Sequence, residues 1–309
     1  MNSFSESIDI LLATYNGEKY ISELLESLSR QTIQQFRILV HDDGSQDHTL
    51  ELIKTYEHKF NGRLVLIDDN IKFGSAASNF AHLLKHSTAA YVAFCDQDDV
   101  WLENKIEVLF NTINKFPKDK PALVFSDLFV VDYDLKLLNK SFWKYEKIDP
   151  QKTEIQYLLS RNIVTGCAMM INRNLANLAT PIPTDAIMHD WWCACLSTFG
   201  NIEYISTPLI LYRQHSNNDT GAVDRSIINV FLKLLNNPFF IINRIIKLGV
   251  KSKQQAISLK HRVKERGYSE NSVNEYIKFR NRNWLSRAIK GIRSYPTPVT
   301  QIIARIILW

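Results

Sequence analysis

Residues 91–99 read Tyr91-Val92-Ala93-Phe94-Cys95-Asp96-Gln97-Asp98-Asp99, an apolar run that passes directly into three carboxylates within four positions. A short apolar run bounded by polar residues is the pattern of a strand buried on both faces, as in a parallel sheet. Ligands of open parallel sheets bind beyond the carboxyl ends of the strands, so the acidic cluster stands where chemistry is expected. Mutual repulsion makes three neighbouring carboxylates costly unless a cation neutralises them. Their hard oxygens suit Mg2+ or Mn2+, which commonly take one or two carboxylates together with substrate phosphates. A solvated acidic turn is the alternative reading. An EF-hand calcium loop is excluded, because its glycine and distal glutamate are missing.

Working outward from this stretch, short β-rich runs at 8–13, 36–40, 64–67 and 122–126 alternate with helical patterns at 19–30, 49–58, 77–86 and 103–115. The first helix shows the spacing plainly, with Ile21, Leu24, Leu25 and Leu28 three and four residues apart. Alternation of this kind predicts an α/β fold, a Rossmann-like and mostly parallel sheet flanked by helices. The first strand runs into Thr14-Tyr15-Asn16-Gly17 and the second into His41-Asp42-Asp43-Gly44-Ser45, so three strand ends place side-chain oxygens on one rim. Ser45 and Asp47 suit a helix cap. Adjacent acids at Asp42 and Asp43 could also accept from a nucleobase N–H or a ribose hydroxyl. No G-x-G-x-x-G follows the first strand, which argues against a dinucleotide cradled on a glycine loop and for a mononucleotide diphosphate with a metal. Beyond 126 we expect a strand at 168–171, a helix after His189, and a hairpin-like pair at 202–205 and 209–213, all completing the same domain.

The motifs Ala13-Thr14-Tyr15-Asn16-Gly17-Glu18-Lys19-Tyr20, then 39–49 (LVHDDGSQDHT) and 93–101 (AFCDQDDVW), occur in the order that resembles glycosyltransferase family 2, with the GT-A fold. The resemblance covers about residues 8–216. DQDDVW at 96–101 together with HDWW at 189–192 and YRQHSNN at 212–218 are most similar to the bacterial rhamnosyltransferase-like branch that builds O-antigen or capsular polysaccharide.

The resemblance implies a role for each matching position. Thr14, Tyr15 and Asn16 would line the nucleotide pocket with Tyr15 against the base, and Asp43 would meet the pyrimidine edge with Asp42 beside it. Asp96 would face the ribose, with Gln97 and Asn79 also on the nucleotide side. Asp98 and Asp99 would hold a divalent cation, Mg2+ or Mn2+, which would grip the donor's two phosphates; His215 would complete the metal site and Arg213 would lie near phosphate. Asp190 would be the catalytic base of an inverting transfer, taking the proton of the acceptor hydroxyl. Gly166, His189, Trp191 and Trp192 would lie on the acceptor side. Read without the resemblance, Asp190 is a helix cap, the tryptophans are core anchors, and Cys167 is packing.

The activity so implied moves L-rhamnose from dTDP-L-rhamnose to a lipid-linked saccharide; a β-linked donor would give an α-rhamnosyl product. A UDP-hexose or UDP-N-acetylhexosamine donor fits the same pocket pattern. A non-catalytic nucleotide- and metal-binding module that docks to membranes would leave Asp190 without a task.

Charge divides the 309 residues unevenly. Residues 226–309 hold 16 Lys and Arg against 3 Asp and Glu, whereas residues 1–225 hold 21 against 29. We therefore expect a catalytic domain at 1–225 and a basic helical region at 226–309, broken near Pro238 and Gly267. The basic region reads as a solvated helical surface, as a nucleic-acid arm, or as an element lying on an anionic membrane, where each Lys or Arg contributes about 1 kcal/mol. The third fits best, because Ile227, Ile228, Phe231 and Leu235 fall on one helical face, Phe239, Phe240 and Ile241 follow, and 302–309 is again apolar. Packing on the catalytic domain or on a second copy of the chain is the rival. Nucleic acid is not expected as a partner, since no binding motif or stacking array accompanies the basic residues. Cys95, Cys167, Cys193 and Cys195 have no disulfide or zinc spacing, and MNSFSESIDI has no basic segment followed by an apolar one. These features lead us to expect a cytoplasmic protein, peripheral on the inner face of the plasma membrane.

Overall fold

The computed structural model describes residues 7–214 and 238–281, with the backbone alone at 238–246. These residues form two compact units, the first made of 7–153, 163–182 and 188–214, the second of 154–162, 183–187 and 238–281. The two short segments at 154–162 and 183–187 therefore join the basic region.

The first unit is built on a seven-stranded sheet. Its strands are β1 (Ile8–Thr14), β2 (Phe36–Asp42), β3 (Leu64–Leu66), β4 (Tyr91–Asp96), β6 (Ala122–Ser126), β9 (Met169–Asn172) and β10 (Asn201–Ile205), in spatial order β10-β6-β9-β4-β1-β2-β3. All neighbours are parallel except β9, which is antiparallel to both β4 and β6. The β1, β2 and β4 side chains are buried almost throughout, which is why those segments read as continuous apolar runs. Helices α1 (Ile21–Ser29), α2 (Thr49–Tyr56), α3 (Ala76–His86), α4 (Lys105–Ile113), α5 (Phe142–Glu146), α7 (Arg173–Ala179) and α8 (His189–Ser197) belong to the same unit. Ile21, Leu24, Leu25 and Leu28 of α1 are fully buried, as their spacing requires.

A second, four-stranded sheet has the order β5-β11-β7-β8, from β5 (Val100–Trp101), β7 (Phe129–Val131), β8 (Leu137–Asn139) and β11 (Ile210–Arg213). This corrects the expected hairpin. β10 pairs parallel with β6 in the large sheet, while β11 pairs with β5 and β7 in the small one. The short turn between them carries the chain from one sheet to the other.

Register positions the site. In the large sheet Ala13 stands opposite Asp96 and Thr14 opposite Asp42, so three strand ends finish level with one another.

The second unit contains α6 (Ile155–Leu158), the 28-residue α9 (Pro238–Glu265) and α10 (Asn271–Arg280). Proline opens α9, where its missing N–H costs nothing, and Gly267 takes a positive φ of 78° after its end. Ala256, Leu259 and Val263 are buried together with Val273 and Tyr276 of α10. The Leu159 carbonyl accepts from both Ser252 Oγ (2.6 Å) and Tyr276 OH (3.1 Å), and Gln255 Oε1 accepts from Ile187 N (2.8 Å). This described part of the basic region thus builds its own core, while Lys247, Lys251, Lys264 and Lys278 stay exposed. The side chains of 227–241 and all of 302–309, on which the membrane face rests, lie outside the described residues. No helix among the described residues is long and apolar enough to cross a membrane.

Candidate active site

A cleft of about 640 Å3 opens in the first unit over the carboxyl ends of β1, β2 and β4. The start of α3, the start of α8 and Tyr212 of β11 close its sides. Thr14, Tyr15, Asp43, Asn79, Asp96, Gln97, Asp98, Gly166, His189 and Asp190 all line it. These ten sequence-predicted residues come from positions 14 to 190 and are brought together by the level strand ends.

The strand-end loops are tied to one another before any ligand arrives. Tyr15 N donates to Gln97 Oε1 (2.9 Å) and Gln97 Nε2 donates back to the Tyr15 carbonyl (2.8 Å). A Cβ on Gly17 would run into Gln97 Oε1 and lie 2.6 Å from its Cδ, so glycine there lets the two loops close. Tyr15 keeps its ring outward, 55% exposed at the cleft mouth.

Asn16 and Asp42 do not line the cleft. Asn16 accepts from Gln46 N (2.8 Å) through its side chain, and its own N–H donates to Ser45 Oγ (2.8 Å). Asp42 accepts from Thr14 Oγ1 (2.8 Å), Ser45 Oγ (2.6 Å), Ser45 N (2.7 Å) and Gly44 N (3.1 Å). Its carboxylate builds the turn; the neighbouring Asp43 lines the cleft and accepts from Phe73 N.

The acidic loop divides by face. Asp96 and Asp98 line the cleft. Burial, then the charges of Asp98 and Asp190, push the Asp96 carboxyl up to about 7. Asp99 is fully buried and outside the lining, with Oδ1 accepting from Arg213 N (3.2 Å). Burial and the neighbouring Asp98 hold its carboxyl well above the ordinary range. Asp99, expected to hold the metal with Asp98, lies off the cleft lining; its carboxylate groups with Asp96 and Cys167, whose ligand atoms all fall within 4.8 Å of one another. Beneath the loop lies a buried cation, Lys105, whose Nζ donates to the Cys167 carbonyl (2.6 Å) over the Trp101 ring. Burial lowers it to about 7.

Arg213 is likewise not a cleft residue. It is 2% exposed, donates through Nε to the Asp98 carbonyl (2.9 Å), pairs with Glu23 and the Tyr133 carbonyl, and lies over the Tyr20 ring. Its neighbour Tyr212 lines the cleft instead. His215 lies outside the described residues.

At the opposite wall, Asp190 is 8% exposed in the first turn of α8, and its Oδ2 accepts from Gly166 N (3.0 Å). Gly166 also makes room for His189, whose Nε2 would lie 2.7 Å from a Cβ there. The His189 ring stacks on Phe94 at 5.0 Å and packs against Phe80 at 4.2 Å. Burial lowers it to about 3, so it is a neutral wall of the cleft. Trp191 and Trp192 face away from the lining. Trp192 is wholly buried with Nε1 donating to the Ala179 carbonyl (3.0 Å), a core anchor, and Trp191 beside it is 7% exposed.

Several lining residues were not anticipated, among them Lys72 and the start of α3. Lys72 reaches over Gly44, whose φ of 87° and lack of Cβ leave the space that Lys72 Nζ and its methylenes occupy. Gly74, Ser75 and Ala76 follow it, with the Ser75 hydroxyl capping α3 by accepting from Ser78 N (3.2 Å). The signal was the order Lys72-Phe73-Gly74-Ser75: a cation immediately before a helix N-terminus, where N–H groups and the helix dipole favour anions.

A mostly parallel sheet whose strand ends present an acidic loop, an exposed tyrosine and a second carboxylate wall defines a GT-A glycosyltransferase. Residues 9–178 match the Glycosyl transferase family 2 profile, and the chain belongs to that family. It is 29% identical over 231 residues to the dTDP-rhamnosyl transferase RfbG of Shigella flexneri, covering 68% of this chain and 74% of that one. It is 29% identical over 171 residues to the Escherichia coli UDP-Glc:alpha-D-GlcNAc-diphosphoundecaprenol beta-1,3-glucosyltransferase WfgD, covering 55% and 62%. Among solved structures, Staphylococcus aureus TarS 1-349 with UDP-GlcNAc is similar with a TM-score of 0.58 at 16% identity, over 97% of this chain and 81% of that one. The mannosyltransferase PcManGT of Pyrobaculum calidifontis with GDP-Man and Mn2+ is similar at 0.51 and 14% identity, over 98% and 79%.

Proposed function

We propose that this glycosyltransferase is inverting and divalent-cation dependent, and that it moves L-rhamnose from dTDP-L-rhamnose to a lipid-linked saccharide in bacterial surface polysaccharide synthesis. One observation carries the catalytic part. Asp96 and Asp98 face Asp190 across a single cleft, closely enough that Asp190 helps raise Asp96. The donor half and the base half of a transfer site therefore stand opposite one another.

The residues fit a divalent cation. Burial first, then repulsion from Asp98, pushes the Asp96 carboxyl up to about 7, and the donor set of the two carboxylates is all oxygen. Asp98, with Asp96 beside it, would hold Mg2+ or Mn2+, which when bound neutralises charge developing on the departing diphosphate. Tyr15 offers the base a flat, exposed face, and Asp43 accepts from its edge. Lys72 and the N-terminus of α3 supply positive charge on the same side. Asp190, fixed by Gly166 N, takes the acceptor hydroxyl's proton as that oxygen attacks the anomeric carbon opposite the leaving nucleotide, which inverts the configuration. The neutral His189, packed against Phe80 and stacked on Phe94, makes an apolar wall behind the base.

The rhamnosyl donor is supported by the 29% identity to the Shigella flexneri enzyme, which extends over 231 residues and so past the family profile. A UDP-sugar is the second reading, supported by the Escherichia coli relative. A panel of dTDP-rhamnose, UDP-glucose, UDP-galactose and UDP-GlcNAc against a lipid-linked acceptor, with the linkage read by NMR, separates them. Transfer from dTDP-rhamnose with an α-linked product is expected; transfer from UDP-sugars alone overturns the donor assignment. For the basic region we propose a peripheral seat on the cytoplasmic face of the membrane, supported by its 16-to-3 charge balance. Sedimentation with phosphatidylglycerol vesicles but not phosphatidylcholine vesicles is the expected result.

A further inference from the structure

Behind the wall of the cleft, three segments bring His41 of β2, Asp69 of the loop after β3 and His82 of α3 to one point. His41 Nε2 lies 3.3 Å from Asp69 Oδ1 and His82 Nε2 lies 2.6 Å from Asp69 Oδ2. The three ligand atoms all fall within 4.8 Å of one another. The proposed transfer uses none of them.

The hydrogen bonds around His41 give this cluster its meaning. Asn79 Nδ2 donates to the His41 carbonyl (3.2 Å), which turns Asn79 Oδ1 toward His41 Nδ1 at 2.9 Å. An amide oxygen can only accept, so Nδ1 carries the ring proton. The other nitrogen, Nε2, faces Asp69 Oδ1, a contact that a proton or a metal ion can bridge. This is the arrangement found around metal-binding imidazoles, whose second nitrogen donates to an oxygen that fixes the tautomer.

We propose that His41, Asp69 and His82 form a second metal site, selective for Zn2+ over Mg2+, that pins the 68–75 loop to β2 and α3. Two imidazoles and one carboxylate suit a borderline-soft ion. Zinc bonds of about 2.0–2.2 Å set tetrahedral ligand atoms roughly 3.3 Å apart, a spacing the three atoms reach with shifts on the order of 1 Å. The His82 side chain is 13% exposed and that of Asp69 29%, so the ion has an entry path and room for a water as fourth ligand. The pinned loop matters because Lys72, Gly74 and Ser75 line the nucleotide cleft, and Phe73 packs on both His41 (5.5 Å) and His82 (5.0 Å).

The test titrates Zn2+ into the full, tag-free chain carrying Asp96→Asn and Asp98→Asn, in millimolar Mg2+, so that the acidic loop, where Asp96, Asp99 and Cys167 are grouped, is weakened as a competing site. One equivalent is expected to bind, at least tenfold more weakly after His82→Ala or Asp69→Asn and unchanged after His86→Ala, a neighbouring histidine. Zn2+ should raise the melting temperature of the chain but not of those first two variants. Co2+ bound to the otherwise unaltered chain should show the intense visible bands of four-coordinate nitrogen–oxygen ligation. Absence of saturable Zn2+ binding, equal affinity in the His82 and Asp69 variants, or a pale octahedral Co2+ spectrum overturns the site. None of these readouts depends on transfer activity.

Discussion

Replacing Asp190 by Asn should separate chemistry from donor binding, and it should do so in opposite directions. The amide keeps one oxygen to accept from Gly166 N but cannot take a proton, so transfer should fall by about 10²–10⁴-fold, the usual contribution of a general base. Donor binding should tighten in acid. Asp190 is one of the charges holding Asp96 up at about 7, after burial and Asp98. Its removal lets Asp96 ionise at lower pH. For a fall of about one unit, the ionised fraction at pH 6 rises from about 9% to about 50%, a roughly fivefold gain in Mn2+-supported nucleotide affinity. At pH 8 the same change is from about 91% to about 99%, and the gain disappears. Calorimetric titration of the nucleotide diphosphate at pH 6 and pH 8 measures the second effect, and product formation measures the first. Transfer within tenfold of the unaltered chain would remove Asp190 from the base role. Unchanged or weaker binding at pH 6 would show that Asp190 and Asp96 do not share the cleft as described.

Asp98→Asn should abolish the dependence of nucleotide binding on Mn2+ or Mg2+; full metal-supported affinity by calorimetry would take Asp98 out of the metal shell. Gly17→Ala should push Gln97 aside and break both of its hydrogen bonds to Tyr15. At about 0.5–1.5 kcal/mol for each bond, nucleotide affinity should drop about tenfold or more, and an unchanged dissociation constant contradicts the loop clamp. Lys105→Met should leave the buried Cys167 carbonyl without the donor it has now. Urea unfolding should report a loss of about 1–3 kcal/mol; an unshifted midpoint would mean that Lys105 does not support the acidic loop.

Most of the large sheet could be read from the chain, because strands buried on both faces are written as unbroken apolar runs and the helices between them as amphipathic periods. The cleft followed from it, since parallel strands in register must end on one rim. What failed were the contacts between distant residues. Arg213 was expected near phosphate, yet its partners Glu23 and Asp98 lie 190 and 115 positions away. The hairpin failed for a related reason: a short turn between two strands looks the same whether they pair or separate into two sheets. Trp191 and Trp192 sit on a helix buried all round, where no polar face distinguishes core from site. Asp99 was not legible because the chain turns at 97–98, so strand alternation does not say where its carboxylate points. His41 was hidden by the acids that follow it.

The Arg213 clamp has a consequence for how the enzyme meets its donor. By holding the Asp98 carbonyl from β11 while it pairs with Glu23 of α1, Arg213 ties the acidic loop in place without a ligand, so less ordering of that loop is left to binding. Substitutions at Arg213 should then slow capture of the nucleotide sugar although Arg213 does not line the cleft. Selection among donors falls to the walls that surround this rigid floor.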